Sequence, residues 1–346
     1  MNLYFAGDSY CWDVWQFLFS SLSSILQSYY YALESKHSAY RLERLIKLRK
    51  QKMNSNKINL FLDSGAFSAW SKGEQIDIDK YIEFIKNKQR YLSHYANLDV
   101  IGDSEQTWKN QKKMEAAGLN PMPCFHFGED LKYLTNYYLI GKYAYIALGG
   151  MVGRNSKELV QWLDNLFSNY LCDKEGNPKI KVHGFGMTSF NIMFRYPWFS
   201  VDSTSWSICG RMGGIYVPRY EKEDWIYNSP PDKIFVSSQS PNKFNEGKHI
   251  ETLSSNIRNH ILNYIHSKGY KLGKTENKNV DKQYKLKKNE KWANKEKTKI
   301  EIVIEKGIGN DYKLRDEINI LYFLDLEKSF SKWPWQFKMK KLGFGI

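Results

Sequence analysis

A chain of 346 residues, 42% of them hydrophobic, can bury a large core, and one barrel-sized domain with an appendage suits it better than several small modules. A net charge of +14 with 16% aromatic residues favours an anionic partner, nucleic acid first, over the alternative that lysines merely keep the surface soluble. Cys11, Cys124, Cys172 and Cys209 stand far apart with no Cys-x-x-Cys pair, which excludes a disulfide framework and a recognisable zinc knuckle. Asp8 and Asp13 interrupt the apolar N-terminal stretch, and no basic lead-in precedes it. Neither a signal peptide nor a membrane span is expected, and a reducing, cytoplasmic setting follows.

In chain order, Leu3-Tyr4-Phe5-Ala6-Gly7 predicts a first strand, residues 12–22 an apolar helix and residues 25–31 a second strand. Residues 39–52 form a basic helix. Phe61-Leu62-Asp63-Ser64-Gly65-Ala66-Phe67 then predicts a buried strand that delivers a carboxylate where it turns. Two readings of that turn stay open: Asp63 as a proton-transfer group, or Asp63 or Ser64 as a helix cap with Gly65 supplying the tight turn. Ile78, Tyr81, Ile82 and Ile85 fall at helical spacing and face a core.

A fourth strand is expected over residues 94–99, ending at Asp99, and a helix runs from Asp103 and Ser104 to Gly118. Residues 121–127 deliver His126 as the fifth strand, and residues 143–148 end in Gly149-Gly150 as the sixth. A helix carrying Leu159, Trp162, Leu163, Leu166, Phe167 and Tyr170 follows. The seventh strand, residues 180–182, gives His183-Gly184-Phe185-Gly186, and the eighth, residues 198–202, ends at Asp202. Eight alternations without hairpin signals predict a (β/α)8 TIM-like barrel with a basic C-terminal appendage, an open doubly wound sheet being the alternative. Closure is preferred because a barrel brings Asp63, Asp99, His126, Gly149, His183 and Asp202 to one mouth.

Beyond Asp202, strands are expected at residues 215–217 and 233–237, and an amphipathic helix is marked by Leu253, Ile257, Ile261 and Ile265. The barrel with these insertions is assigned to residues 1–270, and a basic extension to residues 271–346. Within the extension, residues 271–299 read as mobile or partly helical, residues 300–304 as a strand and residues 318–326 as a helix or buried strand. Trp333-Pro334-Trp335-Gln336-Phe337-Lys338 reads either as a nucleic-acid contact or as a tail tucked onto the barrel.

Five ordered motifs, Leu62-Asp63-Ser64-Gly65-Ala66-Phe67, Asn97-Leu98-Asp99, Ala147-Leu148-Gly149-Gly150-Met151, His183-Gly184-Phe185-Gly186 and Ser200-Val201-Asp202-Ser203, resemble the active-site motifs of the guanine transglycosylases. Within that family the chain looks most like the deazaguanine DNA transglycosylases encoded by phages and bacterial islands, over roughly residues 1–206. The resemblance implies exchange of guanine in DNA for a 7-deazaguanine base, with tRNA as the alternative substrate and a non-catalytic nucleic-acid-binding partner subunit as the alternative role. It implies Asp202 as nucleophile and Asp63 as general acid/base. Asp99 would read the guanine edge, Gly150 and Met151 would offer backbone groups to the base, and Phe67 and His183 would sandwich its ring. His126 stands where the family usually places a base-contacting glutamine, and Ser64, Gly65, Gly149 and Gly184 complete the matched base-binding set. Each has a plain structural alternative: Gly149-Gly150 as a turn, His183 as a satisfied core histidine, Asp99 as a helix cap. The tRNA-modifying members carry a zinc site of three cysteines and a histidine after the nucleophile. Only Cys209 stands in that region here, so neither metal nor cofactor is expected.

Overall fold

The computed structural model describes residues 1–7, 24–50, 58–141, 143–187, 189–239 and 247–339. The helix expected over residues 12–22 lies outside them. Packing divides the chain into two compact units; among the described residues the first holds those up to Thr204 and from Phe330 on, and the second Ser205–Ser329. The boundary expected after residue 270 is therefore not where the packing changes.

In the first unit, β1 (Asn2–Phe5), β2 (Ser24–Ser28), β3 (Asn59–Asp63), β4 (His94–Tyr95), β5 (Cys124–His126), β6 (Tyr145–Gly149), β7 (Lys181–Gly184) and β8 (Ser200–Ser203) form one parallel sheet. Its order is β4-β3-β2-β1-β8-β7-β6-β5, so the first strand lies between the second and the eighth. The sheet is curled, with helices such as Ile78–Lys88, Ser104–Ala116 and Ser156–Leu166 flanking it, a TIM-like α/β arrangement. Outside its two end strands, Ala96 and Met122 form an isolated parallel bridge. There Asn97 N donates to Met122 O (2.9 Å) and Met122 N to Tyr95 O (2.9 Å).

Continuous apolar runs make these strands because both faces are covered: Leu60, Phe61 and Leu62 are all fully buried. Alternate residues point inward, and Tyr4, Ala6, Leu26, Phe61, Ala96, Met122, Cys124 and Ala147 pack together as the interior. The helix Ile78–Lys88 starts where Asp77 Oδ1 accepts the N–H groups of Asp79 (2.9 Å) and Lys80 (3.2 Å), and it buries Tyr81, Ile82 and Ile85. The second strand ends earlier than its aromatic run suggests. Ser28 Oγ accepts from Tyr31 N (3.5 Å), and Tyr29–Glu34 is a helix.

The second unit holds an antiparallel pair, β9 (Gly214–Val217) with β12 (Asp232–Phe235), and a small hairpin, β10 (Arg219–Glu221) with β11 (Asp224–Ile226). Its core joins Ile215, Val217, Ile234 and Val236 to Ile261, Tyr264 and Ile265 of the helix Ser255–Ser267 and to Ile318 of the helix Tyr312–Ser329. Residues 271–299 depart from the expected mobile or helical segment. They contain β13 (Lys274–Asn279) and β14 (Glu290–Trp292), both antiparallel to β15 (Lys299–Glu305). Backbone pairing to β15 orders a lysine-rich stretch that composition alone marks as mobile or partly helical.

The terminal aromatic stretch rejoins the first unit. Trp333 Nε1 donates to Pro197 O (3.1 Å), Phe337 N donates to Gly176 O (2.8 Å), and the Phe337 ring stacks on Tyr196 at 5.5 Å. Phe337 is 7% exposed, so the tucked-tail reading describes it. Phe337→Ala is expected to cost about 3 kcal/mol, read as a lowered thermal midpoint, because it removes a buried ring packed on Phe167 and Tyr196. An unchanged midpoint would show that the tail packs only superficially.

Candidate functional site

Asp63 is the last residue of β3, and its Oδ2 accepts the N–H of Gly65 (3.0 Å). Gly65 adopts φ +79°, and a Cβ there would lie 2.4 Å from Ser28 Oγ and 2.5 Å from Tyr30 Cβ. Only glycine permits this turn to press so close to the end of β2. Ser64 Oγ accepts from Ala66 N (3.2 Å) and donates to Asp99 Oδ1 (3.0 Å), so the turn also ties β3 to the segment after β4. Burial, followed by the charges of Asp99 and Asp202, pushes the Asp63 carboxyl from its ordinary 3.8 up to about 8, with the Gly65 and Ser64 amides pulling back only in part. Asp63 thus holds its proton near neutral pH, and its carboxyl lies within the electrostatic reach of the other two aspartates.

Asp99 is not a helix cap; Asp103 caps Ser104–Ala116, its Oδ1 accepting from Gln106 N (2.8 Å). Asp99 Oδ2 faces His126 Nε2 at 2.9 Å. Burial works against the Asp99 charge, but the hydrogen bond and charge of His126, with Ser64, outweigh it and hold the carboxyl below its usual range. His126 is gripped from the other side by Glu129, which accepts His126 N at 2.9 Å and faces Nδ1 at 3.1 Å. Burial opposes a charged imidazole here, yet Cys124, Asp99 and Glu129 together raise it well above its ordinary value. The Cys124 thiol is itself pushed up to about 11, chiefly by burial, so near neutral pH it is uncharged and the two carboxylates carry the effect. Neither Glu129 nor Cys124 was singled out in the sequence, although Glu129 stands one helical turn from His126 and Cys124 shares its strand face.

Gly149 and Gly150 make room for this cluster. A Cβ on Gly149 would lie 2.7 Å from His126 Cδ2 and 2.8 Å from Cys124 Sγ, and Gly150 takes φ +69°. Gly149→Ala is expected to push His126 off Asp99, lowering stability by roughly 1 to 3 kcal/mol and shifting the His126 imidazole resonances toward ordinary titration. Resonances unchanged from wild type would show the contact to be loose. Gly150 is exposed, with its carbonyl accepting Arg154 Nε (3.3 Å), while Met151 is 4% exposed. Phe67 is 54% exposed, its ring centroid 5.9 Å from that of Trp70. Gly184 packs against Trp198 instead, a Cβ there meeting Cζ3 at 3.2 Å.

His183 does not fit the expected base sandwich. It is fully buried among Tyr4, Phe61, Phe185 and Tyr145, with Nδ1 2.5 Å from Ser200 Oγ and Nε2 3.3 Å from Asp202 Oδ1. Its surroundings are those of a satisfied core histidine, and the carboxylate it satisfies is Asp202. Asp202, on β8, is 6% exposed, and its Oδ1 also accepts Gly186 N (2.8 Å). Inward alternation on β8 and β6 puts Ser200 and Tyr145 on the same interior face, a period-two signal that the sequence carried.

The arrangement offers one anchored carboxylate, one carboxyl holding a proton near pH 7, and an Asp–His–Glu group that keeps a carboxylate ionised. No protein-family model matches the chain, and no curated protein sequence matches it significantly. Among the described residues, no helix is long and apolar enough to cross a membrane.

Proposed function

We propose that this chain is a guanine transglycosylase that exchanges guanine in DNA for a 7-deazaguanine base through a glycosyl-aspartate intermediate. The observation that supports it most is the division of labour between Asp63, raised to about 8 with Asp202 among the causes, and Asp202, whose Oδ1 is held by two donors. In this reading an Asp202 oxygen bonds to C1′ of the deoxyribose as the C1′–N9 bond breaks. The bond's electron pair leaves with the guanine, which takes the Asp63 proton. An incoming 7-deazaguanine then gives a proton to Asp63, its nitrogen bonds to C1′, and Asp202 departs.

Asp99 accepts N–H donors of the guanine edge on whatever lone pairs Ser64 and His126 leave, and His126 keeps it charged for that purpose. Phe67 stacks on the ring. The same reading takes the sheet as a closed (β/α)8 barrel, which the Ala96–Met122 bridge supports. The target base must leave its stack to reach such a mouth. Exposed Lys282, Lys285, Lys287 and Lys288 of the second unit, with the overall positive charge, suit a phosphate backbone.

The test is release of radiolabelled guanine from DNA in the presence of a 7-deazaguanine, together with mass spectrometry of nucleosides from DNA and tRNA of expressing cells. A modified deoxynucleoside is expected. Modified tRNA with unmodified DNA would replace DNA by tRNA as substrate, and salt-sensitive DNA binding with no exchange of any deazaguanine would leave a binding subunit.

A further inference from the structure

We infer that Oδ2 of Asp202 is the oxygen that bonds to C1′, and that Tyr145, Ser200 and His183 form a chain of hydrogen-bond donors that fixes Oδ1 and so selects Oδ2. The inference rests on the exchange reaction proposed above.

The two Asp202 oxygens are not equivalent. Oδ1 accepts Gly186 N at 2.8 Å and faces His183 Nε2 at 3.3 Å, while among the described residues no hydrogen bond reaches Oδ2. An oxygen already accepting two hydrogen bonds has its lone pairs engaged; the bare oxygen is the better nucleophile.

The direction of the chain follows from counting hydrogens. An ionised carboxylate only accepts, so Nε2 carries the imidazole hydrogen. Nδ1 then holds a lone pair and must accept, which makes Ser200 Oγ the donor across 2.5 Å. A serine hydroxyl has one hydrogen, so Oγ accepts in turn from the Tyr145 hydroxyl, its close neighbour. Every hydrogen points toward Asp202. An imidazolium would reverse the two outer bonds and bury a full charge among four aromatic rings.

His183 and Ser200 have no exposed surface, so neither touches substrate; they and Tyr145 are positioning residues. Without them the carboxylate can rotate about its Cβ–Cγ bond and interchange its oxygens. The loss should then fall on the chemical step and spare ground-state binding.

The test uses the full chain carrying Tyr145→Phe or Ser200→Ala, with matched thermal midpoints as a control for folding. Each is expected to lower kcat for exchange by roughly ten- to a hundredfold with KM unchanged. His183→Gln, which can present an amide N–H where Nε2–H stood, should retain more kcat than His183→Ala. Independently of activity, 15N spectra of histidine-labelled protein should show His183 as the Nε2–H tautomer in wild type and a moved resonance in Ser200→Ala. A crystal structure of the trapped adduct should join C1′ to Oδ2. Wild-type kcat in both mild variants, an Nδ1–H tautomer, or an adduct on Oδ1 overturns the inference. Absence of exchange in the wild-type protein overturns the proposed reaction instead, and the tautomer still decides whether the donor chain exists.

Discussion

Replacing Asp202 by alanine or asparagine is expected to abolish exchange, a loss of at least about four orders of magnitude in kcat. Asparagine is the sharper variant because it keeps the size of the side chain and an oxygen that can still accept Gly186 N–H, so β8 and its neighbours need not move. What it lacks is a charged oxygen able to collapse onto C1′ as the base departs. Neither of the other two site aspartates can substitute: Asp99 has Ser64 and His126 on its two oxygens, and Asp63 holds a proton near neutral pH. Guanine release and a covalent protein–DNA band on a denaturing gel should vanish together. Retention of the wild-type rate in either variant would remove Asp202 from the role of nucleophile.

Asp63→Asn should produce two opposite effects. Without a transferable proton, exchange should fall by roughly 10²- to 10⁴-fold, while the folded state should become more stable at neutral pH. The sign follows from proton uptake. Between its unfolded value of 3.8 and its folded value of about 8, Asp63 keeps a proton in the folded protein that the unfolded chain gives up. Folding therefore binds a proton, and stability is lost as pH rises through that window, by about 1.4 kcal/mol per pH unit, or of order 4 kcal/mol by pH 7. Asparagine escapes this penalty and keeps an oxygen for Gly65 N. Denaturant titrations from pH 4 to 9 should show wild type losing stability relative to Asp63→Asn as pH rises. Parallel curves for the two proteins would show Asp63 to be ionised throughout. In wild type, exchange should decline above about pH 8 as the acid empties.

The sequence made the strands of the parallel sheet and the three site carboxylates easy to see, for a physical reason. A parallel strand buried on both faces reads as an unbroken apolar run, and a polar residue at its end breaks that run, as at Asp63, whereas Asp202 lies within β8, one residue before its end. Asp99 is expected at the end of a fourth strand over residues 94–99, but that strand pairs only over His94 and Tyr95, so Asp99 stands in the segment after it. Harder to read were side chains whose role depends on a neighbour from another strand. The stacking role of His183 rests on the family resemblance alone; the rings of Tyr4, Phe61 and Tyr145 that bury it come from strands far away in sequence. Glu129 stands only three residues from His126, but its grip on that imidazole exists only once the chain turns after β5. The lysine-rich stretch after residue 270 shows the limit of composition. Its order comes from main-chain pairing to Lys299–Glu305, and backbone hydrogen bonds carry no residue signature.

The path of the backbone through the two units bears on how the molecule is made. Because the chain leaves the first unit at Thr204 and re-enters it only at Phe330, an intervening body of Ser205–Ser329 must be synthesised before the closing aromatic strap emerges. During translation the nascent sheet therefore waits with Phe167 and Tyr196 uncovered until Phe337 arrives. Shortened versions ending near residue 329 should accumulate as sticky, aggregation-prone species even though every strand and both candidate catalytic acids are present, because the final few residues complete the wall from outside.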